Sequence, residues 1–433
     1  MGAISLKGKN MINNLKDFLN TSYTAYHAVE NAETILNENG FTRLSEKEEW
    51  DIKKGGRYYF IRNGSALVAF TVGDGCYFKI AASHLDSPAL KIKENPVIKA
   101  GGCYKLNVEK YGGGILYTFL DRPLRIAGRI VSEDNGRLSS ETVVSGYEVI
   151  IPSQAIHINR SVNDGMAINA QTDMCPILDI ALSDETPDLY KTLTDKRALG
   201  ADLYLVNAED ARDIGASGEL ISSPRVDNLT SAYASLAAII NAPESEGISV
   251  AAFFNSEEIG NGTAEGAESD MLENAMKRIA LSLGIGEQGY LAMLARSFLL
   301  SVDVAHATHP NHPEKSDPTN KPELGKGVVI KFNACGSYVT DAVSGAIVKN
   351  ILKKADVPFQ TFHARSDMPC GSTLGRSFVC RCGMLACDIG LPQLAMHSAY
   401  ETFAKADFDS LFNGISSFFA ADITFSNADI EIR

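Results

Sequence analysis

Histidines and carboxylates stand next to apolar runs at several separate places in this 433-residue chain. Histidine nitrogens and carboxylate oxygens are the groups that bind divalent metals or carry protons in hydrolysis. Most of these residues follow a run that is apolar enough to be a buried strand. The segments are His84-Leu85-Asp86, Asp227, Glu257-Glu258, Asp303 and His397. Because functional sites in open α/β sheets form at strand ends, the pattern predicts one shared site.

The first segment joins an apolar run to His84 and Asp86. Side chains two apart on an extended chain point to the same face, so Asp86 can lie beside His84 and fix its tautomer. Metal-binding histidines commonly need such a carboxylate. A histidine packed at a strand end is the competing interpretation, and for this segment alone it is the more frequent one.

The next segments place carboxylates where burial is costly without a cation. Asp227 precedes an apolar helix, where it could cap the helix N-terminus or bridge two metals. Glu257 and Glu258 end a buried-type strand, and adjacent carboxylates there repel each other unless a cation is present. A solvated loop is the alternative for this pair. Asp303 lies within an apolar run, although aspartate is rarely buried unless it is paired.

A second histidine in an apolar setting, His397, completes a set of nitrogen and oxygen ligands. Such a set without thiolate fits Zn²⁺, or alternatively Mn²⁺ or Co²⁺. Two metals suit hydrolysis because together they activate water and stabilise the charge that develops on the substrate. A glutamate beside a ligand glutamate could then act as general base. The residues alone therefore favour a two-metal hydrolase site.

Apolar periodicity predicts that helices and strands alternate in the first and last parts of the chain. Near the start, a helix over residues 24–39 precedes three strand-like runs, and after Asp227 each of two helices precedes a strand. The runs are Arg57–Arg62, Ala66–Val72 and Cys76–Ala82, then Thr230–Ile240 with Ile248–Phe254, and Leu291–Phe298 with Leu299–Val304. This alternation indicates a mixed α/β sheet.

The middle of the chain has a different pattern of apolar residues. Between Lys93 and Ser217, short β-like runs such as Leu124–Val131 and Tyr147–Ile151 dominate, and long amphipathic helices are scarce. One α/β domain interrupted by a β-rich insertion explains both parts better than two domains in series. We therefore predict a first catalytic segment at residues 1–92, an inserted domain at 93–217 and a second catalytic segment at 218–433.

Charge and composition narrow the function classes. The net charge of -13 argues against a nucleic-acid partner, since phosphate binding needs a basic face. The eight cysteines show no Cys-x-x-Cys pair and no disulfide-like pattern, which is typical of a reduced cytosol. The first residues, Met1-Gly2-Ala3-Ile4-Ser5-Leu6, lack a secretory signal, and no run of about 18 apolar residues predicts a membrane span. A soluble cytoplasmic protein without membrane contact is expected.

In type and order these motifs resemble those of the aspartyl aminopeptidases, a family of dizinc metallo-aminopeptidases. The similarity covers nearly the whole chain, from Tyr26 to Glu401. The matching segments are Ser83–Pro88, Tyr111–Gly114, Arg225–Asn228, Asn255–Gly260, Asp303–Pro310, Val329–Lys331, Asp367–Gly375 and Pro392–Ser398. The resemblance implies a mixed-sheet, zinc-aminopeptidase-like catalytic domain interrupted by a β-rich dimerisation domain. It also implies a dodecamer built from dimers, with its active sites facing inward.

The resemblance further implies that each chain binds two Zn²⁺ ions. One ion would be held by His84, Asp227 and Asp303. The other would be held by Asp227, Glu258 and His397, so that Asp227 bridges the pair.

The same resemblance implies catalytic and substrate-binding roles. Glu257 would be the general acid/base, and Asp86 would orient the neighbouring histidine ligand. Lys331 would meet an acidic side chain of the substrate, with His306 and Tyr338 beside it. We call these last three residues the predicted acid-reading pocket. On residues alone, a lysine on a strand is usually a solvated one.

Another histidine, His157, matches a family position that reaches the active site of a neighbouring subunit, although a structural histidine is the alternative. The expected activity is release of single N-terminal residues, preferentially Asp or Glu, from peptides. Three alternatives stay open: the same chemistry on neutral N-terminal residues, a carboxypeptidase or deacylase on the same scaffold, and a non-enzymatic, metal-stabilised scaffold or cargo protein.

Overall fold

A computed structural model describes residues 9–73, 75, 77–183, 185–426 and 429–433. The first eight residues, on which the signal-peptide expectation depends, lie outside the described residues, as does Cys76. Among the described residues, no helix is both long and apolar enough to cross a membrane. The α-helices are α1 (Lys9–Thr21), α2 (Ala25–Glu38), α3 (Ala170–Asp173), α4 (Val226–Ile240), α5 (Met271–Ser282), α6 (Glu287–Ala295), α7 (Ala342–Lys354), α8 (Leu374–Cys382) and α9 (Lys405–Ala420).

The strands of the first half of the chain are β1 (Thr42–Arg43), β2 (Arg57–Arg62), β3 (Ala66–Thr71), β4 (Phe78–His84), β5 (Ala89–Ala100), β6 (Cys103–Tyr111), β7 (Leu124–Asp134), β8 (Arg137–Val144), β9 (Ile177–Ile180), β10 (Ala198–Asn207) and β11 (Arg212–Ile214). Those of the second half are β12 (Leu220–Ser223), β13 (Ile248–Phe254), β14 (Phe298–Val302), β15 (Ala305–His306), β16 (Val328–Phe332), β17 (Phe359–His363), β18 (Leu385–Gly390), β19 (Pro392–Leu394), β20 (Glu401–Ala404), β21 (Ile423–Phe425) and β22 (Ile430–Ile432).

Most of these strands belong to three sheets. The largest has nine strands in the order β1-β2-β3-β13-β4-β14-β18-β16-β17. A six-stranded sheet has the order β8-β7-β10-β5-β6-β9, and a five-stranded sheet has the order β11-β12-β20-β19-β15. Strands β21 and β22 form a separate pair. Parallel and antiparallel pairs occur together with helices, as the predicted mixed α/β class requires.

Four neighbouring strands in the middle of the nine-stranded sheet run parallel, and β13, β4 and β14 are the three that lead into the predicted site residues. Strand β4 pairs with β13 on one side and with β14 on the other. In this register Phe254 is opposite His84, and Ser301 is opposite Ala82. Because parallel strands end at the same edge, the residues that follow all three strands meet there.

The nine-stranded sheet has two buried faces. Along β13, Ala251 and Phe253 pack into one apolar cluster, while Val250 and Ala252 pack into another. Helices α1, α2, α4, α7 and α9 contribute to the first cluster, and α5, α6 and α8 contribute to the second. A strand covered on both faces is nearly continuously apolar, so a polar residue at its end stands out in the sequence.

The six-stranded sheet draws all its strands from the segment Ala89–Asn207, which overlaps the predicted insertion. It has an apolar cluster of its own. Its Asp202 receives the Tyr26 hydroxyl of α2 at 3.0 Å and the Arg129 guanidinium at 2.9 Å. The Tyr26 contact joins the second sheet to a helix of the first, and the Arg129 contact lies within the second sheet.

Two predicted elements were wrong. The segment Tyr147–Ile151 is not a strand but forms only isolated bridges to β7 and β9. The helix predicted at Leu291–Phe298 begins earlier and ends at Ala295, and Phe298 already starts β14. Both errors arose in apolar runs, whose type cannot be decided from periodicity alone.

Candidate active site

The carboxyl-terminal edge of the three parallel strands collects four of the predicted site residues. His84 is the last residue of β4, and Asp303 directly follows β14. Glu257 and Glu258 follow β13 in a short 3₁₀ turn, which Ser256 introduces with a φ of 66°. The register of the strands, rather than any local motif, brings these side chains together.

Asp227 reaches the same edge from the start of α4. Arg225 precedes the helix with a left-handed φ of 58°, and Asp227 itself has non-helical angles of -80° and 108°. The side-chain amide of Asn228 donates to the Val302 carbonyl oxygen at 2.9 Å, which ties this turn to the end of β14. Asp227 Oδ1 lies 3.3 Å from His84 Nε2, so the carboxylate faces the site instead of capping the helix.

His397 enters the site from the loop between β19 and β20, where its φ is 66°. Its Nδ1 lies 3.2 Å from the carbonyl oxygen of Gly113. A proton on Nδ1 would be donated to that oxygen and would leave Nε2 free to act as a ligand. The carbonyl thus sets the ring orientation that a metal ligand needs.

The five predicted metal ligands lie around two adjacent positions. His84 Nε2 is 3.3 Å from Asp227 Oδ1 and 3.6 Å from Asp303 Oδ1. His397 Nε2 is 3.5 Å from Asp227 Oδ2 and 3.5 Å from Glu258 Oε1. Asp227 therefore presents a different oxygen to each group, and each group of three lies within 4.8 Å.

These separations suit zinc. At Zn–N and Zn–O distances of about 2.0–2.2 Å, tetrahedral ligand atoms are roughly 3.3–3.6 Å apart. Asp227 Oδ1 and Glu258 Oε1 are buried and have no hydrogen-bond partner among the described residues. An unpaired buried carboxylate oxygen is costly, and a bound cation would satisfy both of these oxygens.

Asp86 supports both the histidine and the glutamate turn. Its two carboxylate oxygens accept the backbone N–H groups of Glu257 at 3.2 Å and Glu258 at 3.1 Å. One of them also accepts the Tyr111 hydroxyl at 2.9 Å. His84 Nδ1 lies 2.9 Å from the Asp86 backbone carbonyl and 3.4 Å from its carboxylate. The closer contact to the predicted histidine is therefore made by the Asp86 backbone.

Electrostatics distinguish the two adjacent glutamates from ordinary carboxylates. Burial raises the pKa of Glu257 to about 7; His84 opposes the rise and the carboxylate of Asp303 adds to it. Burial likewise raises the pKa of Glu258 well above its usual range, with Asp227 adding to the effect. A raised pKa suits a carboxylate that must accept and return a proton.

The predicted acid-reading pocket begins on the other side of Asp303. Lys331 is only 1% exposed, and its ammonium donates to the Val304 carbonyl oxygen at 3.1 Å. The ammonium also lies 3.9 Å from Asp303 Oδ2 and 5.1 Å from the centre of the Tyr338 ring. Lys331 is thus a buried neighbour of a predicted metal ligand, unlike the solvated lysine of the alternative interpretation.

The other two residues of the pocket differ in exposure. Tyr338 is buried, whereas His306 is exposed. Both face Phe362, with ring centres 6.1 Å and 6.0 Å away respectively. The pocket therefore combines one buried cation with aromatic surface.

His157 lies apart from the converging ligands, in an exposed part of the predicted insertion. Its neighbours Ile156 and Ile158 are 46% and 77% exposed. Exposed apolar side chains next to each other are typical of a surface that another molecule covers.

Sequence reasoning assigned no role to two residues that contact this site. Tyr111 binds Asp86, and Glu401 accepts hydrogen bonds from the backbones of Asp227 and His397. A glycine run after Tyr111 and a four-residue spacing from His397 were the only signals available. Both contacts depend on tertiary packing.

The fold and the site together are typical of a metal-dependent hydrolase. A family model described as aminopeptidase I zinc metalloprotease (M18) matches residues 18–419. Over 410 residues the chain is 41% identical to the probable M18 family aminopeptidase 2 of Clostridium novyi (strain NT), with 90% of this chain and 94% of that relative covered. The chain belongs to the M18 family of zinc metalloprotease aminopeptidases. The predicted zinc-dependent exopeptidase class is thereby confirmed.

Solved structures agree with the fold. The cryo-EM structure of the Ape4 and Nbr1 complex matches with a TM-score of 0.89 and 34% identity, covering 95% of this chain and 87% of that chain. The S. cerevisiae mApe1 dodecamer matches with a TM-score of 0.81 and 25% identity, covering 94% and 98%. The predicted mixed α/β fold class is confirmed.

Proposed function

We propose that this chain is a dizinc aminopeptidase that releases single N-terminal residues, preferentially Asp or Glu, from peptides. The observation that carries the proposal is the pair of ligand groups that share Asp227. His84 and Asp303 complete one group, and Glu258 and His397 complete the other. Zinc is the metal expected from the family, and Mn²⁺ or Co²⁺ would fit the same nitrogen and oxygen donors.

The chain's own residues would divide the chemistry between them. Bound zinc supplies Lewis-acid chemistry, which lowers the pKa of water and polarises a carbonyl. Glu257, adjacent to the ligand Glu258, would take the proton of the attacking water and return it to the leaving amine. Asp86 holds the backbone of this glutamate pair in place through two hydrogen bonds.

The preference for an acidic residue rests on Lys331. An ammonium has three donors, and the Val304 carbonyl takes one of them at 3.1 Å. A donor left over could bind the side-chain carboxylate of a substrate, while the positive α-amine turns toward the carboxylate-rich metal edge. These opposite charges would orient the residue for release from the N-terminus.

A preference for neutral N-terminal residues is the second candidate. The aromatic surface of Tyr338 and Phe362 favours it. The carboxylate of Asp303 also favours it, because it partly neutralises the positive charge of the Lys331 ammonium. An apolar substrate side chain would gain from burial against these rings. The two candidates differ only in the substrate pocket and share the same metal chemistry.

Assembly is the second part of the proposal. The likeness to the mApe1 dodecamer supports a homo-oligomer, and the exposed apolar neighbours of His157 supply a surface for it. We propose that residues 93–217 form a dimerisation domain within a catalytic domain made of 1–92 and 218–433. In a dodecamer built from such dimers, His157 would reach the site of a partner. A cytoplasmic location would suit the free thiols of the described cysteines.

A panel of N-terminal aminoacyl substrates, measured with and without a metal chelator, tests the activity. We expect cleavage of Asp and Glu substrates to exceed that of Leu and Ala, and the chelator to abolish all of it. Metal analysis of the same preparation should find two equivalents per chain. Less than one equivalent would contradict the dizinc site, and a preference for Leu would select the neutral candidate.

A further inference from the structure

Glu401 is a buried carboxylate that the proposed chemistry leaves without a role. Only 1% of its surface is exposed. Its Oε2 accepts the backbone N–H of Asp227 at 3.0 Å, and its Oε1 accepts the backbone N–H of His397 at 2.8 Å. The two oxygens of one side chain therefore hold the backbones of two predicted metal ligands from different parts of the chain.

The sheet around Glu401 explains why it can span both ligands. Glu401 begins β20 and is paired with Ser223, the last residue of β12, which leads directly into the turn that carries Asp227. The hairpin between β19 and β20 carries His397. Glu401 thus lies where both ligand segments leave the five-stranded sheet.

Both segments need such an anchor. His397 has a φ of 66°, and Asp227 has non-helical angles within the first turn of α4. A positive φ is unfavourable for residues other than glycine unless the surroundings hold it. Two hydrogen bonds donated by backbone N–H groups to one fixed carboxyl side chain can do this.

We propose that Glu401 is a positioning residue that sets the distance between Asp227 and His397 and so controls occupancy of the second metal position, formed by Asp227, Glu258 and His397. The inference rests on the proposed two-metal site. Asp86 makes the same kind of contact elsewhere in the site, because its two carboxylate oxygens accept the backbone N–H groups of Glu257 and Glu258. His397 serves only one of the two metal positions, so displacement of its backbone weakens that position more than the other.

The test uses the full chain loaded with zinc. Wild type and Glu401→Gln are equilibrated with graded chelator buffers, and the zinc retained per chain is measured. The amide of glutamine can accept one of the two N–H groups but opposes the other with its own donors. We expect the variant to release its second zinc at free zinc concentrations about ten- to a hundredfold higher than wild type, while the first is retained.

Asp407→Asn is the matched control. Asp407 is also a buried carboxylate that accepts two backbone N–H groups, from Gly325 and Gly327 at 2.7 Å each, but it contacts none of the ligands. We expect this variant to be less stable and to retain both zinc ions as wild type does. If it released zinc like Glu401→Gln, general destabilisation would account for the effect and the proposal would be overturned.

A second variant separates position from chemical group and also serves if Glu401→Gln does not fold. Glu401→Asp keeps the carboxyl group but is one methylene shorter, so it cannot reach both N–H groups. It should also release the second zinc more easily. Normal retention in the aspartate variant would overturn the positioning role. If wild type itself bound fewer than two zinc ions, the proposed function would fail instead, and the two failures are distinguishable.

Discussion

Asp303 separates two regions of the active site that differ in how their polar groups are satisfied. Its Oδ1 lies 3.6 Å from His84 in the metal edge, which comprises His84, Asp227, Glu258, Asp303 and His397. Its Oδ2 lies 3.9 Å from Lys331 in the predicted acid-reading pocket. In the metal edge, buried oxygens of Asp227 and Glu258 have no hydrogen-bond partner within the described ranges, whereas Lys331 donates to a carbonyl and has a carboxylate nearby.

This difference in hydrogen bonding explains why the metal edge indicates its function more clearly than the predicted acid-reading pocket does. A cation would satisfy the unpaired buried carboxylate oxygens, so metal binding is the function that best fits the metal edge. A buried lysine with a carbonyl and a carboxylate as partners is already satisfied in part and can be structural or substrate-binding. The reaction type therefore follows more directly from the geometry than the substrate preference does.

The largest effect is expected from Glu257→Gln. The amide keeps the shape of the side chain but cannot accept the proton of water, and general acid–base catalysis is worth roughly a hundredfold to ten-thousandfold. We expect kcat to fall by about that factor while the bound metal is retained. Turnover and metal content should be measured on the same preparation.

The control for this variant is Glu287→Gln, which changes an exposed glutamate whose side chain is 78% accessible. It should leave turnover unchanged. Near-normal activity in Glu257→Gln would place the base elsewhere, and loss of metal from it would make Glu257 a ligand. Either outcome would change the role of Glu257 in the active site.

The meeting of the metal-edge residues could be predicted in part, because His84, Glu258 and Asp303 stand at or shortly after the ends of strongly apolar strands. His84 and Asp303 stand out for this reason, and the parallel pairing of β4 with β13 and β14 makes their meeting a consequence of topology. The role of Asp227 was harder to predict from sequence, because an aspartate that caps a helix N-terminus gives the same local pattern. Its non-helical turn depends on a hydrogen bond from Asn228 to another strand.

The supporting contacts could not be predicted, because they join distant segments. Tyr111 lies 25 positions after Asp86, and the backbone of Asp227 meets Glu401 across 174 positions. The near-complete burial of Lys331 depends likewise on how β16 packs between β17 and β18. Local spacing carries no information about such contacts.

An intermediate effect is expected from Lys331→Met, which removes the ammonium and keeps an apolar stem. A hydrogen bond to a charged group is worth about 1.5–3 kcal/mol, and about 1.4 kcal/mol corresponds to a factor of ten. Cleavage of N-terminal Asp and Glu should therefore fall roughly ten- to a hundredfold relative to Leu and Ala. The ratio of kcat/KM values for the two substrate classes is the measurement.

Lys79→Met is the matched control for this change. Lys79 is another fully buried lysine of the nine-stranded sheet, and it donates to the Ala421 carbonyl oxygen at 2.8 Å. Both variants should lose stability, but only Lys331→Met should alter substrate preference. Equal loss on all substrates would reduce Lys331 to a structural partner of Asp303, and the acidic preference would then be abandoned.

The smallest effect is the partial activity that mixed subunits should recover. If His157 acts in the site of a neighbour, chains that carry His157→Ala and chains that carry Glu257→Gln should be nearly inactive alone but partly active together. In a mixed two-fold pair, one site receives an intact Glu257 from its own chain and an intact His157 from the other. Random pairing at equal amounts makes half of the pairs mixed, so about a quarter of all sites should work.

Co-expression with two different tags, followed by activity assay of the doubly tagged fraction, measures this. Mixing Glu257→Gln with His312→Ala, which alters an exposed surface histidine, should give simple dilution of the His312→Ala activity. A His157→Ala protein that is fully active by itself would instead make His157 an ordinary surface residue of the predicted insertion.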